Sequence, residues 1–286
     1  MTGRRLRRAI EAAAATLARS GVDSARTDAQ LLAAHLTGID RGRLTFADDP
    51  ADGFFEAFEV AVTTRARRVP LQHITGIAAF GPLSLHVGPG VFIPRPETEA
   101  ILDWAVRRNL PERAVIIDVC TGSGALAAAL SRHYPDARVI AVDDDPVALG
   151  YARRNTGQTA VEVLGGDATD PQLLAELDGT VDLVVSNPPY IPLGAELEPE
   201  VSEHDPAHAL FGGPDGMAVI RPIVARAARW LRSGGLLAVE HDDTTAELTV
   251  ETICATAAFD DVRSRTDLAG RPRFVTARKD QRRQTK

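Results

Sequence analysis

The residues with the clearest chemical potential are Asn187-Pro188-Pro189-Tyr190, directly after the apolar run Val181 to Ser186. Consecutive prolines fix φ and remove N–H donors. What remains is a set of carbonyl groups and the Asn187 side chain, an acceptor-rich concavity. Such a site suits an NH2 group on a planar amide or aryl amine. That nitrogen is a weak nucleophile because its lone pair is delocalised. The Asn187 side-chain oxygen and the Pro188 carbonyl would hold both N–H bonds and aim the lone pair, which is the orientation component of catalysis. Fixed dipoles would also stabilise positive charge growing on nitrogen. The Tyr190 ring is expected to pack on the planar group, and the scheme calls for neither a metal nor a general base. The purely structural alternative is a rigid loop with an Asn cap.

A second group of residues fits the partner reagent. Val115 to Val119 is an apolar run ending in Asp118-Val119-Cys120-Thr121-Gly122-Ser123-Gly124, followed by a helical pattern from Ala125. Small residues between a strand and a helix let backbone N–H groups approach a ligand. Dinucleotides and S-adenosylmethionine both use this geometry. A dinucleotide loop asks for G-x-G-x-x-G, but here the third glycine position is alanine. Asp118 ahead of the turn fits the methyltransferase pattern D-x-G-x-G-x-G, with Cys120 where the first glycine is common. That substitution is tolerable if Cys120 has a negative φ. Cys120 is read as a small packing residue, since no His/Asp arrangement adjoins it.

Asp143 ends the next strand, roughly 20 residues past the loop, at the reach of a ribose-binding carboxylate. Asp144 and Asp145 follow it, and Asp145-Pro146 also reads as an N-cap and first helical residue. The two readings hold together if they fall on different residues. After the third strand comes Gly165-Gly166-Asp167-Ala168. Asp167 is the candidate for an adenine amino group, with Ala168 against the ring.

The elements that must position these residues alternate strand and helix from Val115 onward. The pattern predicts seven strands, mostly parallel, with helices on both faces. No helix separates the last two strands, near Asp261 to Arg265 and Arg273 to Ala277, so they form an antiparallel edge hairpin. The fold class is α/β, a Rossmann-like class I S-adenosylmethionine-dependent methyltransferase with a small N-terminal helical domain. Residues 1–69 read as that domain, with helices over 3–20, 27–36 and 50–67 and with Phe54, Phe55, Phe58 and Val62 as a buried stripe. Residues 70–95 are dense in Gly and Pro and read as a β-hairpin linker. Residues 96–279 form the methyltransferase domain, and 280–286 a disordered tail.

Composition sets further bounds. The chain of 286 residues is 44% hydrophobic and 25% charged, ordinary for a globular protein. A net charge of −7 argues against a partner that is mainly bare nucleic-acid backbone. Arg4, Arg5, Arg7 and Arg8 read as a solvated helix end. The two cysteines, Cys120 and Cys254, form no CxxC or Cys/His cluster, which fits a reducing cytoplasm. No signal peptide or membrane span is visible. His73, His86, His204, His208 and His241 show no metal-ligand spacing. Glu240-His241 follows the fifth strand and reads as structural, bordering the pocket.

Taken together, Gln72-His73-Ile74-x-Gly76, Ile93-Pro94-Arg95-Pro96-Glu97-Thr98-Glu99, the Asp118 to Gly124 loop and Asn187 to Tyr190 resemble the HemK/PrmC family across nearly the whole chain. The tetrapeptide is shared with adenine and cytosine amino-methyltransferases; the Ile93 to Glu99 segment is far more particular. The resemblance implies methylation, from S-adenosylmethionine, of the glutamine amide nitrogen in the Gly-Gly-Gln tip of peptide chain release factors. It implies that Cys120 to Gly124, Asp143 and Asn187 bind the cofactor and that Asn187 to Tyr190 bind the glutamine. The helical domain would dock the protein substrate, with no direct nucleic-acid requirement. Ala168 stands where some relatives carry a large aromatic, so adenine stacking there is weaker or comes from elsewhere. A nucleic-acid amino-methyltransferase would flip its base and carry a basic surface. A non-catalytic cofactor-binding module would have lost Asn187.

Overall fold

The computed structural model describes residues 3–267 and 269–281. It falls into two compact units, the first holding residues up to Ile77 together with Leu197–His204, the second holding the rest.

The first unit is built on α1 (Arg4–Arg19), α2 (Ala25–Thr37), α3 (Asp52–Ala66) and a short α4 (Leu71–Thr75). Leu6, Ile10, Ala13 and Leu17 recur at helical spacing and form the buried stripe of α1. Ala29, Leu32 and Ala33 of α2 and Phe58 and Val62 of α3 complete the core. Phe54 and Phe55 are half-buried instead of filling it: Phe54 stacks on Phe58, and Arg5 covers the Phe55 ring. Arg65, on the inner face of α3, is buried with Asp28, its Nε donating to Asp28 Oδ2 at 2.7 Å. Arg65 also pairs with Glu200, 135 residues further on in a helical turn (Pro199–Ser202), and Arg68 donates to both Glu200 oxygens.

The second unit opens at Ala78, within the hairpin of β1 (Ile77–Phe80) and β2 (Leu83–His86). Residues 70–95 are thus not one hairpin linker. Leu71–Thr75 is helical because Pro70 starts it and Gly76, at φ 73°, ends it. Only 77–86 pairs as strands. Then follow α5 (Glu99–Val106), β3 (Val115–Val119), α6 (Ala125–His133), β4 (Arg138–Asp143), α7 (Pro146–Thr156), β5 (Glu162–Gly165), β6 (Val181–Ser186), α8 (Ile220–Trp230), β7 (Leu231–Glu240), α9 (Ala246–Ala255), β8 (Phe259–Thr266) and β9 (Pro272–Lys279).

The seven-stranded sheet runs β5-β4-β3-β6-β7-β9-β8, with β9 antiparallel to both neighbours. β3 and β6 are central and buried on both faces, hence their unbroken apolar runs. Cores lie on either face, one around Leu126, Leu130 and Ile101, the other around Trp230, Ile223 and Val224. The chain starts at β3, winds outward through β4 and β5, then returns to β6 on the other side. The carboxyl ends of β3 and β6 therefore flank a topological switch point, where open α/β sheets bind ligands. Ser186 Oγ ties the two ends by donating to Val119 O at 2.6 Å. Of the tail expected over 280–286, residues 282–286 lie outside the described residues, while Asp280 N–H donates to Ala258 O.

Candidate active site

A cavity of about 330 Å³ opens at this switch point, inside the roughly 300–1,000 Å³ range of small-molecule sites. Cys120, Thr121, Gly122, Ser123, Asp143, Asp167, Ala168, Asn187 and Pro189 all line it, along with Asp118 and Asp144. Gly124, Pro188 and Tyr190 do not. Gly124 caps α6 in the left-handed region, and a Cβ there would stand 3.1 Å from Ala152 Cα, so its role is close packing of α6 on α7. Pro188, between Asn187 and Pro189, is buried. Tyr190 packs into the core beside the sheet and donates its hydroxyl to Glu240 Oε1 at 3.0 Å. Its ring is a prop beneath the site, contrary to the expected stacking surface.

The loop after β3 is held by its neighbours. Thr121 N–H donates to Val142 O, and Gly122 N–H donates to Asp143 Oδ2 at 2.8 Å. Asp143 Oδ1 accepts from Asp145 N, while Asp145 itself caps α7 by accepting from Val147 N and Ala148 N. The cap role thus falls on Asp145, while Asp143 and Asp144 line the cavity. Burial raises the Asp143 carboxyl, and the two N–H donors oppose the rise. Asp167 Oδ1 accepts from the backbone and hydroxyl of Thr169, which lowers its pKa and leaves Oδ2 available. Cys120 has φ 59°, so it occupies the left-handed region that glycine would adopt freely, and the condition for replacing glycine without strain is not met.

Asp118 is fully buried. It accepts from Thr121 Oγ1 at 2.6 Å and Ala127 N at 3.0 Å, and its Oδ1 has no hydrogen-bond partner. Burial pushes its carboxyl up to about 7 despite those donors. Asn187 Nδ2 donates to Thr98 Oγ1 at 2.9 Å, so Oδ1 is the polar atom it retains for the cavity. Among the described residues no group of three or more His, Cys, Asp and Glu is placed to hold a metal.

Residues 8–76 match the family pattern described as the PrmC N-terminal domain, and 98–203 match a methyltransferase small domain. The release factor glutamine methyltransferase of Mycolicibacterium smegmatis is 68% identical, over 96% of this chain and 97% of its own. That of Mycobacterium tuberculosis is 63% identical, over 95% of this chain and 91% of its own. The chain belongs to the HemK/PrmC family of methyltransferases. A Streptomyces pristinaespiralis relative, a 4-amino-L-phenylalanine/4-methylamino-L-phenylalanine methyltransferase, is 41% identical over 82% of each chain. A methyltransferase crystal structure from Pyrococcus furiosus superposes with a TM-score of 0.54, at 18% identity, over 76% of this chain and 98% of that one, in keeping with the fold.

Within this HemK/PrmC chain, several residues outside the loops and the tetrapeptide also line the site. Thr98 and Phe92 line the cavity from the segment after the hairpin, and Pro206, His208 and Ala209 line it from a helical turn (Ala207–Leu210). Arg95 does not line it; it pairs with buried Asp205 and lies over the Phe92 ring. His241 is buried, with Nδ1 against Asp242 O, and does not line it either. The loop Phe211 to Met217 packs under the tetrapeptide: a Cβ on Gly212 or Gly216 would meet the Pro189 or Tyr190 carbonyl at 2.6 or 2.3 Å. Glycine spacing in Phe211-Gly212-Gly213-Pro214-Asp215-Gly216 is the sequence signal for this loop.

Proposed function

We propose that the chain transfers a methyl group to the side-chain amide nitrogen of the glutamine in the Gly-Gly-Gln tip of a peptide chain release factor. The observation that carries this reading is the Asn187 amide, whose NH2 is taken by Thr98 and whose oxygen is left for the cavity. With the Pro188 carbonyl it makes two acceptors for one substrate NH2.

S-adenosylmethionine, when bound, supplies the electrophilic methyl. The lining residues fit it. Asp118 Oδ1, buried without a partner on the cavity wall, suits an ammonium. Asp143 and Asp144 suit ribose hydroxyls, Asp167 suits the adenine amino group, and Ala168, small and buried, leaves room for the ring. Cys120 to Ser123 bring backbone close to the ligand. The protein's part in the transfer is orientation and electrostatics: Asn187 Oδ1 and the Pro188 carbonyl align the nitrogen lone pair and offset its growing positive charge. Formation of the N–C bond would be balanced by loss of the sulfonium–methyl bond, leaving a neutral thioether, and the surplus proton on nitrogen would pass to water. We read the helical unit as the docking element for the release factor.

The test is methyl transfer from labelled S-adenosylmethionine to an intact release factor, its Gln→Ala variant at the tip, a short Gly-Gly-Gln peptide, 4-aminophenylalanine and duplex DNA. Label on the wild-type factor, and none on the variant, is the expected result. A kcat/KM for the peptide equal to that of the intact factor would remove the docking role. Preferential labelling of 4-aminophenylalanine would move the substrate to the aryl amine of the 41%-identical relative. Label on DNA would replace the protein substrate altogether.

A further inference from the structure

In the sheet, β3 lies between β4 and β6. Adjacent strands stand about 4.8 Å apart, so the carboxyl ends of β4 and β6 are roughly 10 Å from each other. The turn from Cys120 to Ser123 lies between those ends and lines the cavity. Asp143 and Asp144 line it from the β4 side, Asn187 and Pro189 from the β6 side. A side-chain contact joins the two sides. His208 Nε2 stands 3.1 Å from Asp145 Oδ2. His208 lines the cavity from the segment that follows β6, and Asp145 comes directly after the two cavity-lining carboxylates that follow β4. The contact therefore crosses the site from wall to wall.

Both ends of this contact are held. Asp145 divides its carboxylate between two tasks: Oδ1 accepts from Val147 N and Ala148 N to cap α7, and Oδ2 faces His208. On the other side the backbone is tied down around His208. Asp205 is buried and paired with Arg95, Leu210 is buried, and Leu210 O accepts from Ile191 N at 2.8 Å. The His208 side chain between them is half-exposed. An exposed pair of this kind contributes little free energy, so it opens readily. Rotation of one side chain parts it, with no backbone movement on either wall. Either the neutral Nε2–H tautomer or the charged imidazole can donate to the carboxylate.

We propose that His208 and Asp145 form a crossbar that gates cofactor exchange, parting for S-adenosylmethionine to enter and for its demethylated product to leave. The proposal rests on the cofactor reading given above, in which Asp143 and Asp144 take the ribose hydroxyls. Its place beside those carboxylates puts the bar at the sugar end of the site. Asp145 thus has a task beyond its helix cap, and His208 sets the rate of exchange.

The experiment measures binding of S-adenosylhomocysteine to the full chain. Its dissociation rate is read by chasing labelled ligand with unlabelled, its Kd by calorimetry, and the association rate is their quotient. The variants are His208→Ala, Asp145→Ser and the two combined. Serine caps a helix about as well as aspartate, so Asp145→Ser keeps the start of α7 while losing the oxygen that faces His208. Each single variant should raise both rate constants by roughly twofold to fivefold, the scale of one exposed ion pair. Kd should move less than either rate. The double variant should match the singles, since each removes the same contact. A general loosening of the site would instead speed dissociation without speeding association. That result, unchanged rates in His208→Ala, or additive effects in the double variant would overturn the crossbar and leave the cofactor reading intact. No binding of S-adenosylhomocysteine by the wild-type chain would overturn the cofactor reading and the crossbar with it. If Asp145→Ser fails to fold, His208→Ala decides.

Discussion

The helical unit and the catalytic unit bury carboxylates in opposite ways. In the helical unit, Asp28 and Glu200 meet guanidinium groups directly: Arg65 reaches both, and Arg68 grips Glu200. Burial acts to raise Glu200, but Arg68 and Arg65 overcome it and hold the carboxyl at about 2. In the catalytic unit, Asp118 and Glu240 are fully buried with hydroxyl and backbone donors, and both carboxyls rise to about 7. Complete pairing makes a charge structural and inert near neutral pH. Incomplete pairing leaves a group that responds to a ligand or a proton, the pattern expected where chemistry is done.

The linkage signs follow. Glu200, with its lowered pKa, contributes stability that is present above its ordinary value of 4.5 and is lost as pH falls toward about 2. Asp118 and Glu240, with raised pKa values, cost stability above about 7, a cost that lessens as pH falls toward the ordinary carboxylate range.

The largest effect that would break this contrast is on stability. Asp28→Ala strips the buried Arg65 of one partner and should cost about 3 kcal/mol in denaturant unfolding. S-adenosylmethionine affinity should stay unchanged. A loss under about 1 kcal/mol would mean that the pair behaves as a surface pair and that the contrast is wrong. Next in size is a pH effect on cofactor binding. If Asp118 receives an ammonium, affinity measured by calorimetry should weaken below about 7, toward tenfold per pH unit, as protons compete for the carboxylate. Asp118→Asn should bind more weakly and show a flat profile; a flat profile in the wild type would remove Asp118 from the binding role. The smallest effect concerns Cys120. Its left-handed φ of 59° should cost about 1–2 kcal/mol relative to glycine, partly offset by side-chain packing. Cys120→Gly is therefore expected to raise stability by about 0.5–1 kcal/mol in thermal unfolding. A lower melting temperature would show that thiol packing outweighs the strain.

Much of the fold was legible because its signals are local. The unbroken apolar runs of β3 and β6 mark central parallel strands, the stripe from Leu6 to Leu17 marks α1, and the missing helix between β8 and β9 marks the antiparallel edge. The turn residues from Cys120 to Ser123 and the carboxylates Asp143 and Asp167 were legible for a related reason: loops that follow parallel strands converge on one end of the sheet. The short helical turns Pro199–Ser202 and Ala207–Leu210 were not, because four residues carry no periodicity to read. Tyr190 was misplaced as a stacking surface because its ring direction depends on Glu240, which lies 50 residues away in sequence.

By itself, then, the sequence determined the order of the main strands and helices, the place of Asn187 at the end of a central strand and the run of carboxylates along the strand ends, since residue type and spacing suffice for each. Only the tertiary structure decided which way the Asn187 amide points, which Asp of the triplet caps a helix, and which buried carboxylates lack a cation. Those outcomes depend on burial and on hydrogen bonds such as Asn187 to Thr98 and Tyr190 to Glu240, whose partners meet only once the sheet has assembled.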